Sequence, residues 1–265
     1  MTESAHKHPF AELHHGDEPL LLPNAWDHAS ARALAAQGFP AIGTTSLGVA
    51  AAVGLPDGAS ATRDETLRLA FALGSGPYLL TVDAEDGYSD DPDEVGEFAR
   101  ELAAVGAVGI NLEDRLGPPA PHAAKIAAVK AAAPVLFVNA RTDTYWLGGG
   151  EADTKDRLDV YQQAGADGVF VPGVTEPRQI ADLVRHLDVP LNILYTPAGP
   201  TVPQLAGLGV RRISLGSLLY RRALGAAVEA MGEIREGRTP GGVVPSYGDV
   251  DALSRRSDLT HSDEA

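Results

Sequence analysis

Four acidic residues, Asp57, Asp83, Glu85 and Glu113, lie at or near the ends of consecutive apolar segments of this 265-residue sequence. Residues two apart on a β-strand point to the same side, so Asp83 and Glu85 share one side. Carboxylates that converge on one place repel each other and are poorly solvated unless a cation joins them. Such hard oxygen ligands suit Mg²⁺, with Mn²⁺ as the alternative ion. The pattern therefore predicts a divalent-metal site.

An arginine, Arg141, lies at the end of the next apolar segment. Its planar guanidinium is permanently charged and is suited to hold a carboxylate or an oxyanion. Acids together with one arginine indicate chemistry on a small anionic substrate. The structural alternative is that each acid caps a helix or forms a turn, as we expect for Asp86-Gly87.

The segments that carry these residues predict eight parallel strands. Most are short and continuously apolar, as expected for strands that are buried on both faces. Helical patterns separate them, and four of these patterns end in a glycine directly before the next apolar run. This order predicts a (β/α)8 TIM barrel, with an open doubly wound sheet as the alternative. The predicted strands are Leu20–Leu22, Ala41–Ser46, Tyr78–Ala84, Ala107–Glu113, Val135–Arg141, Gly168–Val171, Leu191–Tyr195 and Arg212–Leu215.

Three short sequences have the composition of helix N-termini. Thr62–Glu65 and Thr201–Gln204 have the spacing of a capping box. Asp91–Glu94 places Asp at the cap and Pro at the first helical position. Functional residues of such a barrel lie at the carboxyl ends of its strands, so we expect the acids and the arginine to meet at one mouth.

The barrel is expected to span residues 20–245, including a C-terminal helix over Leu218–Gly237 with apolar residues at helical spacing. Residues 1–19 predict a flexible leader, which contains four histidines. Residues 246–265 predict a polar C-terminal arm or tail with a short helix at Asp249–Leu253.

The composition argues against several classes of function. The net charge of −15 disfavours binding to the phosphate backbone of nucleic acid. The absence of cysteine excludes disulfides, Cys-ligated metal sites and cysteine nucleophiles. The sequence shows neither a signal-peptide pattern nor an apolar run of about 18 residues. We therefore expect a cytoplasmic protein that does not associate with membranes.

Five motifs together resemble those of the isocitrate lyase/phosphoenolpyruvate mutase superfamily, from about Leu20 to Arg222. Each motif is weak alone, but their order and spacing are specific for the superfamily without identifying one activity. The motifs are Pro23-Asn24-Ala25-Trp26-Asp27, Gly54-Leu55-Pro56-Asp57, Val82-Asp83-Ala84-Glu85, Leu112-Glu113-Asp114 and Asn139-Ala140-Arg141-Thr142-Asp143.

The resemblance implies a (β/α)8 barrel that binds Mg²⁺ and a 2-oxo or 2-hydroxy carboxylate. Asp83, Glu85 and Glu113 match the positions that hold the ion in such enzymes, mostly through water. Glu85 stands where these enzymes have a second Asp. The resemblance also implies a homo-oligomer, usually a tetramer, in which neighbours exchange a C-terminal helix.

The resemblance assigns further residues to the substrate. The turn Thr45-Ser46-Leu47 matches the one that binds the substrate carboxylate, and Asp57 matches a loop aspartate. Arg141 matches an arginine that stabilises an oxyanion or the leaving group. Asn192 takes the place of a polar residue that binds substrate.

The sequence departs from its relatives in the loop that follows Glu113. The lyases carry a cysteine there as the acid/base, whereas this chain has Arg115-Leu116-Gly117-Pro118-Pro119-Ala120-Pro121-His122. The longer loop of phosphonopyruvate-type members, with Lys and Asn, is also missing. His122 is the candidate proton donor in its place. A glutamate of the lyases is replaced within Val171-Pro172-Gly173.

These observations predict a Mg²⁺-dependent carbon–carbon lyase or decarboxylase that acts on an oxaloacetate-like or substituted malate-like dicarboxylate. A metal ion would stabilise the negative charge of the enolate as the bond breaks. One alternative is phosphorus–carbon chemistry, as a phosphonopyruvate or phosphoenolpyruvate mutase or hydrolase. Another is a barrel that binds a metabolite without turnover.

Overall fold

Nine parallel strands form one sheet that curves into a nearly closed barrel, in a computed structural model that describes residues 9–254. The strands are β1 (Leu20–Leu22), β2 (Asn24–Ala25), β3 (Ala41–Thr44), β4 (Leu79–Asp83), β5 (Ala107–Glu113), β6 (Phe137–Arg141), β7 (Gly168–Phe170), β8 (Leu191–Leu194) and β9 (Arg212–Ser214). β1 pairs with β9 and β2 pairs with β3, so Pro23 separates two halves of one barrel strand. With that strand counted once, the eight predicted strands and the TIM barrel are confirmed.

Helices alternate with the strands along the chain. They are α1 (Pro9–Glu12), α2 (His28–Ala35), α3 (Ser46–Val53), α4 (Arg63–Leu73), α5 (Pro92–Ala104), α6 (Pro119–Ala132), α7 (Thr154–Gln163), α8 (Pro177–His186), α9 (Val202–Gly207), α10 (Leu218–Arg235) and α11 (Tyr247–Leu253). A single 3₁₀ turn over Glu151–Asp153 precedes α7. The helices α10 and α11 confirm the two helices predicted after the last strand.

Two of the three predicted helix starts are confirmed. Asp91 caps α5 by accepting a hydrogen bond from the Asp93 N–H, and Thr201 forms a capping box at α9. The predicted capping box at Thr62 is wrong, because its hydroxyl donates to Glu85 Oε1 at 2.6 Å and leaves the start of α4 without a side-chain cap. A tertiary hydrogen bond has replaced the local one.

The main core lies between the outward faces of the strands and the helices, where side chains such as Val82, Ile110 and Val138 are fully buried. A second apolar cluster closes the barrel interior at the amino ends of the strands. It consists of Phe10, Leu20, Leu22, Ala41 and Phe137. The interior above this cluster is polar, and it leads to the carboxyl ends of the strands.

The expectation of a flexible leader over residues 1–19 is wrong for residues 9–19, while residues 1–8 lie outside the described residues. Phe10 on α1 is fully buried in the lower cluster. His14 stacks on Phe137 with 4.3 Å between ring centroids, and burial together with Arg212 lowers the pKa of His14 to about 3. This segment therefore plugs the lower end of the barrel with a neutral histidine.

The C-terminal helices lie on the outside of the barrel. α11 packs near α2, where Val250 and Leu253 line a groove with Leu34. Residues 255–265 of the predicted tail lie outside the described residues. Across residues 9–254, every helix is too short or too polar to cross a membrane.

Candidate active site

A cavity of about 240 Å³ opens at the carboxyl ends of the strands. Its walls come from β2 and β5, from the carboxyl ends of β4 and β6 to β9, and from the segments that follow β3, β6, β7 and β9. Six of the ten predicted site residues line it, namely Thr45, Ser46, Leu47, Asp57, Asp83 and Arg141. The structure therefore brings together the turn, the loop aspartate, the first acid and the arginine.

Asp83 is held at the cavity by the backbone around it. The N–H of Ser46, at the start of α3, donates to Asp83 Oδ2 at 3.2 Å, and the Asp83 N–H donates to Thr44 Oγ1 at 2.9 Å. Burial raises the pKa of Asp83, Arg141 opposes this shift, and the nearby Asp57 adds to it. The Asp83 carboxylate thus faces the cavity, and the positive charge of Arg141 does not fully offset the cost of burying it.

Arg141 is fixed between two acids. Its Nη1 lies 2.9 Å from Glu113 Oε2, and its Nε donates to Asp143 Oδ1 at 2.7 Å. The pairing of β5 with β6 places Glu113 directly beside Arg141, so the contact follows from the register. Burial raises the pKa of Glu113 to about 8, against the effect of Arg141 and with a further contribution from Asp83.

Glu85 turns away from the cavity. Its backbone has a left-handed φ of 45°, and its carboxylate accepts hydrogen bonds from the Ser60 N–H at 3.0 Å and from Thr62 Oγ1. Burial raises the pKa of Glu85, while the bonds from Thr62 and Ser60 oppose that shift. Glu85 therefore fixes the loop that carries Asp57 and does not line the cavity.

The predicted metal triad is not assembled as a set of direct ligands. Within residues 9–254, no three His, Cys, Asp or Glu side chains are arranged so that they could hold a metal ion together. The reason is that Glu85 is bonded to Ser60 and Thr62, while Glu113 is paired with Arg141. Asp83 is the predicted ligand that faces the cavity.

The donor chemistry still fits a hydrated divalent cation beside Asp83. Asp83 and Glu85 each raise the pKa of Glu113, and Asp57 raises the pKa of Asp83. Arg141 is the cation that opposes these shifts at both Asp83 and Glu113. This excess of negative charge is what a hard cation would offset, with Asp83 as its protein ligand and the glutamates reached through water.

His122 lies away from the cavity, contrary to its predicted role as proton donor. It belongs to the buried face of α6 and not to a surface loop, and its ring packs on Tyr161 at 4.6 Å between centroids. Burial lowers the pKa of His122 to about 4. We therefore do not retain His122 as an acid in the reaction.

Asn192 also lies outside the cavity wall, contrary to its predicted contact with substrate. It is buried in the barrel interior, where its Nδ2 donates to Ser214 Oγ at 3.0 Å. Ser214 does line the cavity, so Asn192 reaches the site only through its neighbour.

The loop between β5 and α6 is a tight turn. Leu116 and Gly117 both donate backbone hydrogen bonds to Asp114, and Arg115 forms an ion pair with Asp86 at 3.0 Å. Arg115 and Leu116 have left-handed φ values of 48° and 57°. The short loop expected from the sequence is therefore anchored beside the mouth.

A sequence model of the phosphoenolpyruvate phosphomutase family matches residues 10–235. The chain belongs to this family. An uncharacterized protein of Mycobacterium tuberculosis is 46% identical over 235 residues, which cover 86% of this chain and 89% of that protein. An oxaloacetate decarboxylase of Pseudomonas entomophila is 30% identical over 253 residues, covering 87% and 86%. A solved structure from Burkholderia cenocepacia J2315, provisionally described as a lyase/mutase, is 34% identical with a TM-score of 0.85 and covers 96% of both chains.

Membership of the phosphoenolpyruvate phosphomutase family confirms the predicted superfamily. Relatives in this superfamily are enzymes named as mutases, lyases and decarboxylases. The matches thus support the broad class of reaction, and the substrate has to be argued from the cavity.

In this family member, the cavity also contains residues that the sequence analysis did not single out. Asn111 and Ser214 form a polar floor, while Trp146, Phe170 and Leu194 form an apolar wall. Asn111 on β5 and Ser214 on β9 alternate with outward-facing apolar residues, Ile110, Leu112 and Ile213, which are buried in the core. That alternation was a usable signal, because an inward polar residue in a barrel needs a partner or a ligand.

Proposed function

We propose that this protein is a divalent-metal-dependent lyase or decarboxylase that cleaves a carbon–carbon bond of a small 2-oxo or 2-hydroxy dicarboxylate. The observation that carries the proposal is the placement of Arg141 and Asp83 in one cavity at the carboxyl ends of the strands. An acid and a fixed cation in one cavity suit a substrate that has a carboxylate at one end and develops an oxyanion at the other.

The first turn of α3 supplies a binding site for a carboxylate. The N–H groups of Leu47 and Gly48 have no acceptor within the helix, and Leu47 lines the cavity. The N-terminus of a helix favours negative charge, so this turn would hold the substrate carboxylate. The predicted binding of the substrate carboxylate by Thr45, Ser46 and Leu47 thus has a physical basis.

Arg141 would hold the reacting part of the substrate. Glu113 contacts its Nη1 and Asp143 contacts its Nε, which fixes the plane of the guanidinium. The remaining Nη2 would then be directed to the substrate. A bound Mg²⁺ or Mn²⁺ would supply additional stabilisation of negative charge on the enolate oxygen. The ring of Phe170 lies over one face of the guanidinium, with 5.8 Å between Arg141 Cζ and the ring centroid, and shields that face from water.

The test is an assay of purified protein with oxaloacetate and with 2-substituted malates, in Mg²⁺ and after treatment with a chelator. We expect turnover that is lost with the chelator and restored by added Mg²⁺. Turnover that is equal with and without metal would reject the metal-dependent mechanism. No turnover of any dicarboxylate, together with tight binding of one, would favour a barrel that binds a metabolite without reaction.

Phosphorus–carbon chemistry is the second candidate, because a phosphoenolpyruvate phosphomutase of Streptomyces hygroscopicus is 28% identical over 84% of this chain. The charge of the cavity disfavours this chemistry, since Arg141 is the one Lys or Arg side chain among the described residues that line the cavity. A phosphonate dianion calls for more positive charge than that. Phosphorus-31 spectra after incubation with phosphonopyruvate separate the two reactions.

A further inference from the structure

Arg212 occupies the barrel interior directly beneath the cavity. It is the first residue of β9 and faces the barrel interior, its side chain is 1% exposed, and burial lowers its pKa to about 9. Its guanidinium therefore stays charged at neutral pH. A buried charge is costly, and it is retained where it has a partner or a function.

The hydrogen-bond partners of Arg212 are neutral. Its Nε donates to Ser214 Oγ at 3.1 Å and its Nη2 donates to Asn111 Oδ1 at 3.1 Å. Its Nη1 has no hydrogen-bond partner within residues 9–254. The charge of Asp83 favours the charged form of Arg212, but no acid among these residues is in direct contact with its guanidinium. Both partners, Ser214 and Asn111, line the floor of the cavity.

Asn111 is oriented by two donors. Its Oδ1 accepts from Arg212 and also from Asn139 Nδ2 at 2.8 Å. A guanidinium only donates, so the oxygen of the Asn111 amide must face Arg212. The amide nitrogen then faces the other way, toward the cavity that Asn111 lines.

Ser214 is oriented by the same rule. Its hydroxyl oxygen accepts from Arg212 Nε and from Asn192 Nδ2 at 3.0 Å, which occupies both of its lone pairs. Its proton is thus left to be donated, and the side of Ser214 that is open is the cavity. The floor consequently presents hydrogen-bond donors.

We propose that Arg212 is a positioning residue, which turns Asn111 Nδ2 and the Ser214 hydroxyl into the cavity as donors. With Arg141 they form a binding site for an anionic oxygen, that is, a carboxylate or the enolate oxygen of the substrate. This inference rests on the proposed function, because it concerns the same cavity. It explains why a charge is buried without a directly paired acid: Arg212 fixes two neutral donors and adds positive potential beneath an acidic mouth.

The experiment measures binding of oxalate by calorimetry in a Mg²⁺-containing buffer. Oxalate is a planar dianion that resembles the enolate of a 2-oxo acid, and it needs no turnover. The variants are Ser214→Ala, Asn111→Leu, Arg212→Met and Arg212→Lys. The matched control is Thr81→Val, because the Thr81 hydroxyl is buried on β4, outside the cavity wall, and has no partner among the described residues.

We expect Ser214→Ala and Asn111→Leu each to weaken oxalate binding by about 10-fold to 100-fold, as for the loss of a hydrogen bond to a charged group. Arg212→Met should weaken oxalate binding to a similar degree, although Arg212 does not contact the ligand. Arg212→Lys should restore only part of the loss, because one ammonium group cannot donate to both Ser214 and Asn111 in the same geometry. The double variant Ser214→Ala/Arg212→Met should lose less than the product of the single effects, because both act through one hydroxyl. Ser214→Ala keeps the proposal testable if an Arg212 variant fails to fold.

The proposal is overturned if the wild-type protein does not bind oxalate, if Ser214→Ala and Asn111→Leu bind it like wild type, or if Thr81→Val weakens it as strongly. Its failure is distinct from that of the proposed function. If Ser214→Ala and Asn111→Leu turn over substrate normally, the two donors are not needed and only the proposed lyase activity stands. If the variants bind oxalate more weakly but the protein turns over no dicarboxylate, the anion-binding site stands and the proposed lyase activity is rejected.

Discussion

At the scale of single residues, Arg141 is the point where the charges of the cavity are balanced. Glu113 and Asp143 contact it from two sides, while Asp83 contributes a further negative charge to its surroundings. Once Glu113 is ionised, above its pKa of about 8, the neighbourhood is anionic even with the arginine in place. An anionic substrate can bind there only if a further cation, or a set of fixed donors, accompanies Arg141.

We expect Arg141→Lys to lower kcat/KM by about 10²–10³-fold, because a lysine cannot bind Glu113, Asp143 and a substrate oxygen along three fixed directions. Steady-state kinetics with the best dicarboxylate measure the effect. The exposed Arg100→Lys on α5 is the control and should retain full activity. A lysine variant with wild-type kinetics would remove Arg141 from the reaction.

The raised pKa values predict how Mg²⁺ affects stability. Burial holds the pKa of Glu113 at about 8, above its ordinary value of 4.5, so the folded state binds more protons between these values. Stability consequently falls as pH rises through this window, and the penalty is complete above about pH 8. Mg²⁺ should offset the cost of burying ionised Glu113. The rise in Tm on adding Mg²⁺ should therefore be larger above pH 8 than at about two pH units lower.

Asp83→Ala should abolish this Mg²⁺-dependent rise in Tm and the metal-dependent activity, while the fold remains intact. Asp83 lies at a carboxyl strand end and its burial is unfavourable to the charged form, so its removal should not lower the Tm without metal. Asp64→Ala, on the exposed surface of α4, is the control. A variant that unfolds would show instead that Asp83 is structural.

At the scale of elements, Asp114 ties three parts of the chain together. Its side chain is fully buried and accepts hydrogen bonds from Thr142 Oγ1 and Tyr161 OH at 2.7 Å each, and from Arg157 Nη1 at 3.0 Å. The loops after β5 and β6 and the helix α7 thus meet at one carboxylate. Burial alone would raise the pKa of Asp114, but these bonds and that of Leu116 lower it.

Asp114→Ala should lower the free energy of unfolding by about 3–5 kcal/mol, because it leaves the nearly buried Arg157 without its counter-charge. Since the folded pKa is depressed, the contribution of Asp114 is present above its unfolded pKa of 3.8 and is lost as pH falls below it. Urea unfolding at neutral pH measures the change. Asp90→Ala, at a fully exposed side chain, should have little effect.

The elements differ in how far the sequence could predict them. The strands were predictable because strand residues that pack against the surrounding helices have to be apolar, as Ile110 and Leu112 are on the outward side of β5. Thr62 could not be predicted, since its partner Glu85 lies 23 residues away along the chain. The four-residue helix α1 has no periodicity, and only the burial of Phe10 in the barrel explains it.

The site shows the same division. The acids and Arg141 were predictable because barrel topology sends every carboxyl strand end to one mouth. The direction of each side chain was not, since it depends on contacts such as the one between Glu113 and Arg141. The many prolines of this segment predict a loop and so place His122 wrongly, because Pro119 occupies the first helical turn of α6.

At the scale of the whole molecule, the part of the chain that the structure describes leaves an apolar surface on α10 uncovered. Four apolar residues of α10 are more than half exposed, and none of its residues is buried. They lie on one stripe of the helix, at spacings of three or four. The stripe consists of Leu224, Val228, Met231 and Ile234. An exposed stripe of this kind marks a contact with another protein.

We propose that a second copy of this chain covers the stripe on α10, within the tetramer that the superfamily resemblance implies. Val228→Asp, at the centre of the stripe and 68% exposed, should then reduce the assembly to smaller species by placing a charge in an apolar interface. Sedimentation velocity over a range of protein concentrations measures the change, and Glu229→Gln on the neighbouring face should leave the assembly intact. A wild-type chain that sediments as a monomer at every concentration would contradict the proposal, and a Val228→Asp variant that remains a tetramer would move the interface away from α10.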